Sequence, residues 1–146
     1  MKKIHLMAMC YLLIVAGPSC KKDESDKPVS KTDLLTTGTW KVTAFHEDDE
    51  GDGVFERDIF PQLEACYTDN YYTFKANGQF EMNEGTAKCD DADPQTDVTN
   101  WQLTQDEKNL VIDTDSYVIE ELSATTLKVK QIVTGLYGEM LTLTKR

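Results

Sequence analysis

From residue 37 to residue 144 the chain is written in short runs whose apolar residues fall at every second position, divided by turn-forming clusters. No stretch of useful length in this part repeats at the spacing of an amphipathic helix. Alternation with period two sends successive side chains to opposite faces, so each run reads as a half-buried β-strand. Eight runs are legible, at 37–45, 71–75, 79–82, 100–104, 109–113, 116–122, 126–133 and 136–144. Short connections between successive antiparallel strands make a meander, and closing a meander on itself removes its exposed edges. The expected fold is therefore all-β: a small eight-stranded antiparallel up-and-down barrel.

The second and third runs can be set in register from their side chains alone. Pairing through a two-residue Asn77-Gly78 turn would put Phe74 opposite Glu81 and mix the faces. A three-residue loop over 76–78 puts Phe74 opposite Phe80, Tyr72 opposite Met82 and Thr73 opposite Glu81, which keeps apolar residues on one face. It also places Gly78 where such a loop needs a left-handed residue. Further along, a turn at Thr114-Asp115 would set Ile112 opposite Tyr117 and Leu110 opposite Ile119. With these registers Trp40, Tyr72, Phe74, Phe80, Trp101 and Tyr117 fall on the inward faces, where eight strands leave room for side chains or one small ligand.

The N-terminus has a different character. Met1-Lys2-Lys3 is followed by an apolar run from Ile4 to Ala16, broken only by His5, and then by Gly17-Pro18-Ser19-Cys20. A positive start, a short apolar stretch and small residues make a secretory signal peptide, too short to span a bilayer. Small residues directly before a cysteine resemble the lipobox of bacterial lipoproteins. That resemblance implies cleavage after residue 19 and lipid on Cys20; a soluble secreted protein is the alternative. Residues 20–32 are charged and polar, without a large apolar side chain except Val29, and read as a disordered tether. The Lys22-Asp23-Glu24 run resembles the acidic signal that sends some Gram-negative lipoproteins to the outer face of the outer membrane. The expected organisation is a signal at 1–19, lipidated Cys20 and tether at 20–32, and one barrel domain at 33–146, a monomer placed on the cell surface.

Removing residues 1–19 takes away Lys2 and Lys3 and leaves 13 basic against 26 acidic side chains. That balance excludes the positive footprint required for nucleic acid and electrostatic docking on anionic lipid, so contact with the membrane is expected through covalent lipid only. Of the four cysteines, Cys10 leaves with the signal and Cys20 carries lipid. Cys66 and Cys89 remain, an even pair in an oxidising compartment, and read as one disulfide. The hairpin register agrees independently, because extending it sets Cys66 opposite Lys88, one step from Cys89.

Gly38-Thr39-Trp40 at the start of the first run resembles the Gly-x-Trp signature of lipocalins. So does the combination of Asp58-Ile59-Phe60, Leu63-Glu64-Ala65-Cys66, Tyr72-Thr73-Phe74, Asn77-Gly78 and Lys88-Cys89-Asp90 with the lipocalin-like domain of bacterial surface lipoproteins. The resemblance covers residues 33–146. It implies a barrel whose Trp40 plugs the closed end, with Lys145 or Arg146 packed over the indole. It also implies a small apolar ligand, for which Tyr72, Tyr117 and Gln131 are the polar candidates inside the barrel. The alternative is a non-catalytic interaction module with a solid barrel whose loops contact another envelope protein or a glycan.

No cofactor and no catalytic residue are expected, since His46 is the only histidine after the signal and no nucleophile stands in a recognisable setting. Asp48, Glu50 and Asp52 followed by Gly53 have the alternate oxygen spacing of a calcium loop, but Ile59 stands where its bidentate Glu belongs. A solvated acidic loop is the other account of that stretch. Replacing Cys20 with Ala should move the protein from the detergent phase to the aqueous phase in a phase-separation assay. Unchanged partitioning would remove the anchor.

Overall fold

The computed structural model describes residues 28–133 and 137–146. Residues 1–27, with Cys20 and most of the expected tether, lie outside the described residues. The fold is an all-β closed barrel of eight antiparallel strands with one short extra strand on its wall. In chain order the elements are α1 (Lys31–Thr36), β1 (Trp40–Asp48), β2 (Arg57–Asp58), a 3-10 turn (Phe60–Gln62), α2 (Ala65–Thr68), β3 (Tyr71–Phe74), β4 (Gln79–Asn83), β5 (Thr96–Thr104), β6 (Asn109–Ile112), β7 (Asp115–Leu122), β8 (Thr126–Val133) and β9 (Tyr137–Lys145). Strands β3 to β9 form the meander, and β9 pairs with β1 along nearly its whole length to close it. The expected eight strands are all present.

The β3–β4 hairpin has the register read from its side chains: Phe74 faces Phe80, Thr73 faces Glu81 and Tyr72 faces Met82. Gly78 sits at φ 86°, a left-handed conformation that its lack of a Cβ permits. The β6–β7 hairpin differs from expectation. Leu110 faces Tyr117 and Ile112 faces Asp115, because the turn is Asp113-Thr114 with Asp113 left-handed at φ 54°. The slip is two residues, so every side chain keeps its face and the inward set survives unchanged.

Three stretches carry structure that the alternation did not announce. Residues 47–65, expected as a long loop, hold β2 and the 3-10 turn and run into α2, which carries Cys66. Strand β5 begins at Thr96, four residues before the run in the sequence becomes apolar on its inner face. At the N-terminal side, α1 opens at Lys31, inside the stretch expected as tether. Ser30 caps it, accepting from the Asp33 amide at 3.0 Å while Asp33 reaches back in a capping box. Leu35 is the buried residue of this helix.

The core is densest at the end that α1 covers. Trp40 is fully buried, and its Nε1 donates to the Leu35 carbonyl at 2.9 Å. Of the two basic candidates, Lys145 lies over the indole, with Nζ 4.6 Å from the ring centroid and donating to the Leu34 carbonyl at 2.8 Å. Arg146 instead lies over Tyr71. Above the indole, Phe74 packs against Phe80 at 5.0 Å and edge-on to Trp101 at 5.3 Å. Cys66 and Cys89 form a disulfide with Cα atoms 5.2 Å apart, tying α2 to the loop after β4.

Truncating a wholly buried tryptophan costs about 3–5 kcal/mol. Trp40→Ala should lose that much in urea unfolding and also release α1, read as faster amide exchange over 31–36. Loss of stability with α1 still protected would show that the helix is held by something else.

Candidate functional site

The inward residues do not fill the barrel evenly. Phe74 and Phe80 make a floor, and above it the walls rise on aliphatic side chains: Val42 from β1, Leu110 and Ile112 from β6, Leu127 and Val129 from β8, Leu141 and Leu143 from β9. They enclose a cup of about 200 Å³. The cup exists because Trp40, Phe74, Phe80 and Trp101 crowd the end near α1, while the walls beyond carry mostly Val, Leu and Ile beside Tyr72 and Tyr117. Its polar lining groups are the hydroxyls of Tyr72 and Tyr117. Burial raises the titration of both: Tyr117 is pushed up to about 12, with Asp115, Glu139 and Tyr72 adding to the effect, and Tyr72 is raised by burial and then by Glu84. Both phenols therefore stay protonated at neutral pH and can donate a hydrogen bond.

Of the three residues expected to orient a ligand, the structure brings Tyr72 and Tyr117 to the cup and leaves Gln131 outside its lining. Gln131 is half-buried and pairs with Glu139 across β8 and β9, further toward the open end than the aliphatic walls. Glu139 itself was not anticipated, although the alternation that places Leu141 and Leu143 inward extends to it. Its carboxyl is raised above the ordinary value by partial burial, and then by Glu47 and Asp115. Glu47 is paired with Arg57, which also holds Asp49 at 2.6 Å. Beyond the cup, Glu139 thus has Glu47 and Asp115 as charged neighbours, with Arg57 offsetting Glu47 and Asp49.

The acidic loop at 48–53 folds around one of its own carboxylates. Asp48 is fully buried, with Oδ1 accepting from the amides of Gly51 at 2.7 Å and Asp52 at 3.2 Å, and Oδ2 from Gly53 at 2.7 Å. Asp52 accepts from the amide of Val54 at 2.8 Å. These oxygens close the turn on its own backbone. Among the described residues, no group of three or more His, Cys, Asp or Glu is arranged to hold a metal ion.

A wider recess of about 570 Å³ lies outside the barrel near Lys41, Lys145 and Arg146. Lys145 is already engaged with Trp40 and the Leu34 carbonyl, and Arg146 with Tyr71. The apolar cup is the better candidate, since ligand sites are concave, largely apolar and carry few polar groups.

Residues 36–129 match the profile of a family described as lipocalin-like domain. Among solved structures, the chain is similar to a lipocalin-like protein from Bacteroides uniformis ATCC 8492, at 16% identity and a TM-score of 0.49, over 77% of this chain and 99% of that one. No curated protein matches.

The raised Glu139 carboxyl gives a pH signature. A carboxyl raised in the folded state contributes stability that is fully present below its ordinary value, 4.5, and lost as pH rises through the raised value. Glu139→Gln should therefore melt higher than the parent at neutral pH, and the difference should close as the pH falls to about 4. A gain that is the same across this range would mean that charge at Glu139 is not its source.

Proposed function

The chain belongs to the lipocalin-like domain family, and from that premise we propose that it binds a small apolar molecule in the barrel cup while lipid on Cys20 holds it at the outer face of the outer membrane. The observation that carries the binding role is the cup: about 200 Å³ of apolar space remains above the Phe74 and Phe80 floor, with two protonated tyrosine hydroxyls to orient an occupant. A barrel used only as a rigid support for its loops gains by filling such space, since a void forfeits packing energy. That consideration favours ligand binding over an interaction module with a solid core. The groups at the cup, aliphatic side chains with two phenols, are the contacts that a binding site supplies.

The anchor rests on the sequence alone, on the signal-like residues 1–19 and the small residues before Cys20. Its geometry is compatible with ligand access. The chain joins the barrel through α1, which packs on Trp40 at the closed end. The open mouth lies at the other end of the barrel from α1, and so from the segment that leads back to Cys20.

N-phenyl-1-naphthylamine, a neutral apolar fluorophore, tests the cup directly. The protein should enhance its fluorescence saturably, and Ile112→Trp, which projects an indole into the cup, should weaken binding about tenfold or more while the fold persists by circular dichroism. Equal binding by parent and Ile112→Trp would place the fluorophore elsewhere and sink the assignment. Native mass spectrometry of protein purified from its own envelope identifies what travels with it.

A further inference from the structure

A second space adjoins the cup. Strand β1 pairs with β3 through a single residue pair, Trp40 with Tyr72, and beyond it the two strands part. The 3-10 turn and α2 occupy the gap, and β2 pairs with the far end of β1 at His46 and Glu47. Behind this segment lies a side pocket of about 490 Å³. Val42, Tyr72 and Leu141 line both this pocket and the cup, so the two spaces meet at these side chains, and a ligand that occupies both displaces them.

The roof of the side pocket is braced. The disulfide joins Cys66 on α2 to Cys89 in the loop after β4. Asp69, just past α2, accepts from the Thr86 amide at 2.7 Å, the Thr86 hydroxyl at 2.8 Å and the Ala87 amide at 2.9 Å. Asn70 is buried, and its amide is oriented to donate to the carbonyls of Cys66 at 3.0 Å and Glu84 at 3.1 Å. Three separate links between the same two segments make a preformed wall, which saves a ligand the entropy of ordering it.

The chemistry of the lining is asymmetric. Phe45, Leu63 and Met82 supply apolar surface, while Glu84 and Asp93 supply carboxylates; among the described residues no Lys, Arg or His belongs to the lining, and the Lys88 ammonium beside it donates to the Asp93 backbone carbonyl. Glu84 lies close enough to Tyr72 to oppose ionisation of its phenol. The cup alone is smaller than the several hundred cubic ångströms usual for a ligand site, and the two spaces together fall within that range.

Building on the apolar-ligand reading above, we infer that the cup and the side pocket form one binding site for an elongated cationic amphiphile. Its hydrocarbon tail lies in the cup, and its protonated amine lies beside Glu84 beneath the disulfide-braced roof. A carboxylate or phosphate head meets like charge in the side pocket, and an uncharged head forgoes the charge-assisted hydrogen bond.

The test uses the full chain with four probes below their micellar concentrations: dodecylammonium, 1-dodecanol, dodecanoate and hexylammonium, each titrated directly into the protein by isothermal titration calorimetry at neutral pH. Dodecylammonium should bind on the order of tenfold more tightly than dodecanol, as a hydrogen bond to a charged group predicts, and dodecanoate should be weakest. The Glu84→Gln/Asp93→Asn double variant should bring amine and alcohol to similar affinity, whereas Glu139→Gln at the open end should keep most of the preference. Ile112→Trp should weaken dodecylammonium and spare hexylammonium, whose tail is too short to need the cup.

Equal affinity for dodecanol and dodecylammonium overturns the cationic head while leaving the apolar cup intact. Amine preference lost in Glu139→Gln but kept in the double variant moves the head to the open end and overturns the side pocket. Ile112→Trp weakening both amines alike overturns the tail placement. Failure of every dodecyl probe to bind removes the apolar-ligand reading and this inference with it.

Discussion

Trp40 is the point at which the ends of the barrel sheet meet. Its backbone pairs with Tyr72 on one side and Lys145 on the other, so one residue joins the first, third and last strands of the chain. Its indole donates to α1, and Lys145 closes over the ring while donating to the same helix. Burial lowers the titration of that lysine below the ordinary ammonium value. Strand closure, helix docking and plugging of the barrel end are therefore not separate features. They share one side chain, and each part limits the freedom of the others.

The position of the cavity follows from that concentration of bulk. Trp40, Phe74, Phe80 and Trp101 gather near the closed end, where the Trp101 Nε1 finds the Lys75 carbonyl at 3.0 Å. Beyond them the inward residues shrink to Val, Leu and Ile, and the same number of strands encloses more space than side chains fill. Because β3 ends its pairing with β1 after one residue pair, the wall there is completed by a folded connection rather than by a strand. A connection needs bracing that a ladder of hydrogen bonds would have supplied. The disulfide and the Asp69 and Asn70 contacts provide it.

What could be read from the sequence was what local pairing decides. The β3–β4 register was legible because a one-residue error would have put Phe74 against Glu81, an outcome that burial forbids. The β6–β7 register was not, because a two-residue slip preserves the faces, and only the left-handed turn at Asp113 separates the alternatives. Tyr72 and Tyr117 were found by the same alternation that placed the core. Gln131 shares their face but lies beyond the cup, a matter of height along the barrel that period two cannot report. The stretch 57–70 escaped because a two-residue strand, a 3-10 turn and one turn of helix are too short to show a period. Asp48 was open to two readings for a related reason: acidic spacing is common to ion loops and to turns closed on their own amides, and its burial under three loop amides follows from a backbone path that spacing does not report.

Charge distribution is the last element that composition alone describes poorly. An acidic excess on a secreted domain costs little where each carboxylate faces water, and it favours solubility. Here several cations are committed to particular places: Arg57 to Glu47 and Asp49, Lys75 to Glu81, Lys130 to Glu120, and Lys145 to the indole of Trp40. Glu139 is left partly buried, with Glu47 and Asp115 as its charged neighbours and burial opposing its ionisation. The neighbouring positions on the strand offer no freer place for that charge: a side chain at Gly138 would meet the Phe55 ring and Asp48, and Met140 is itself partly buried. Strand pairing therefore fixes where this carboxylate stands, and at this one rim position the acidic excess of the chain becomes a charge held against its own burial.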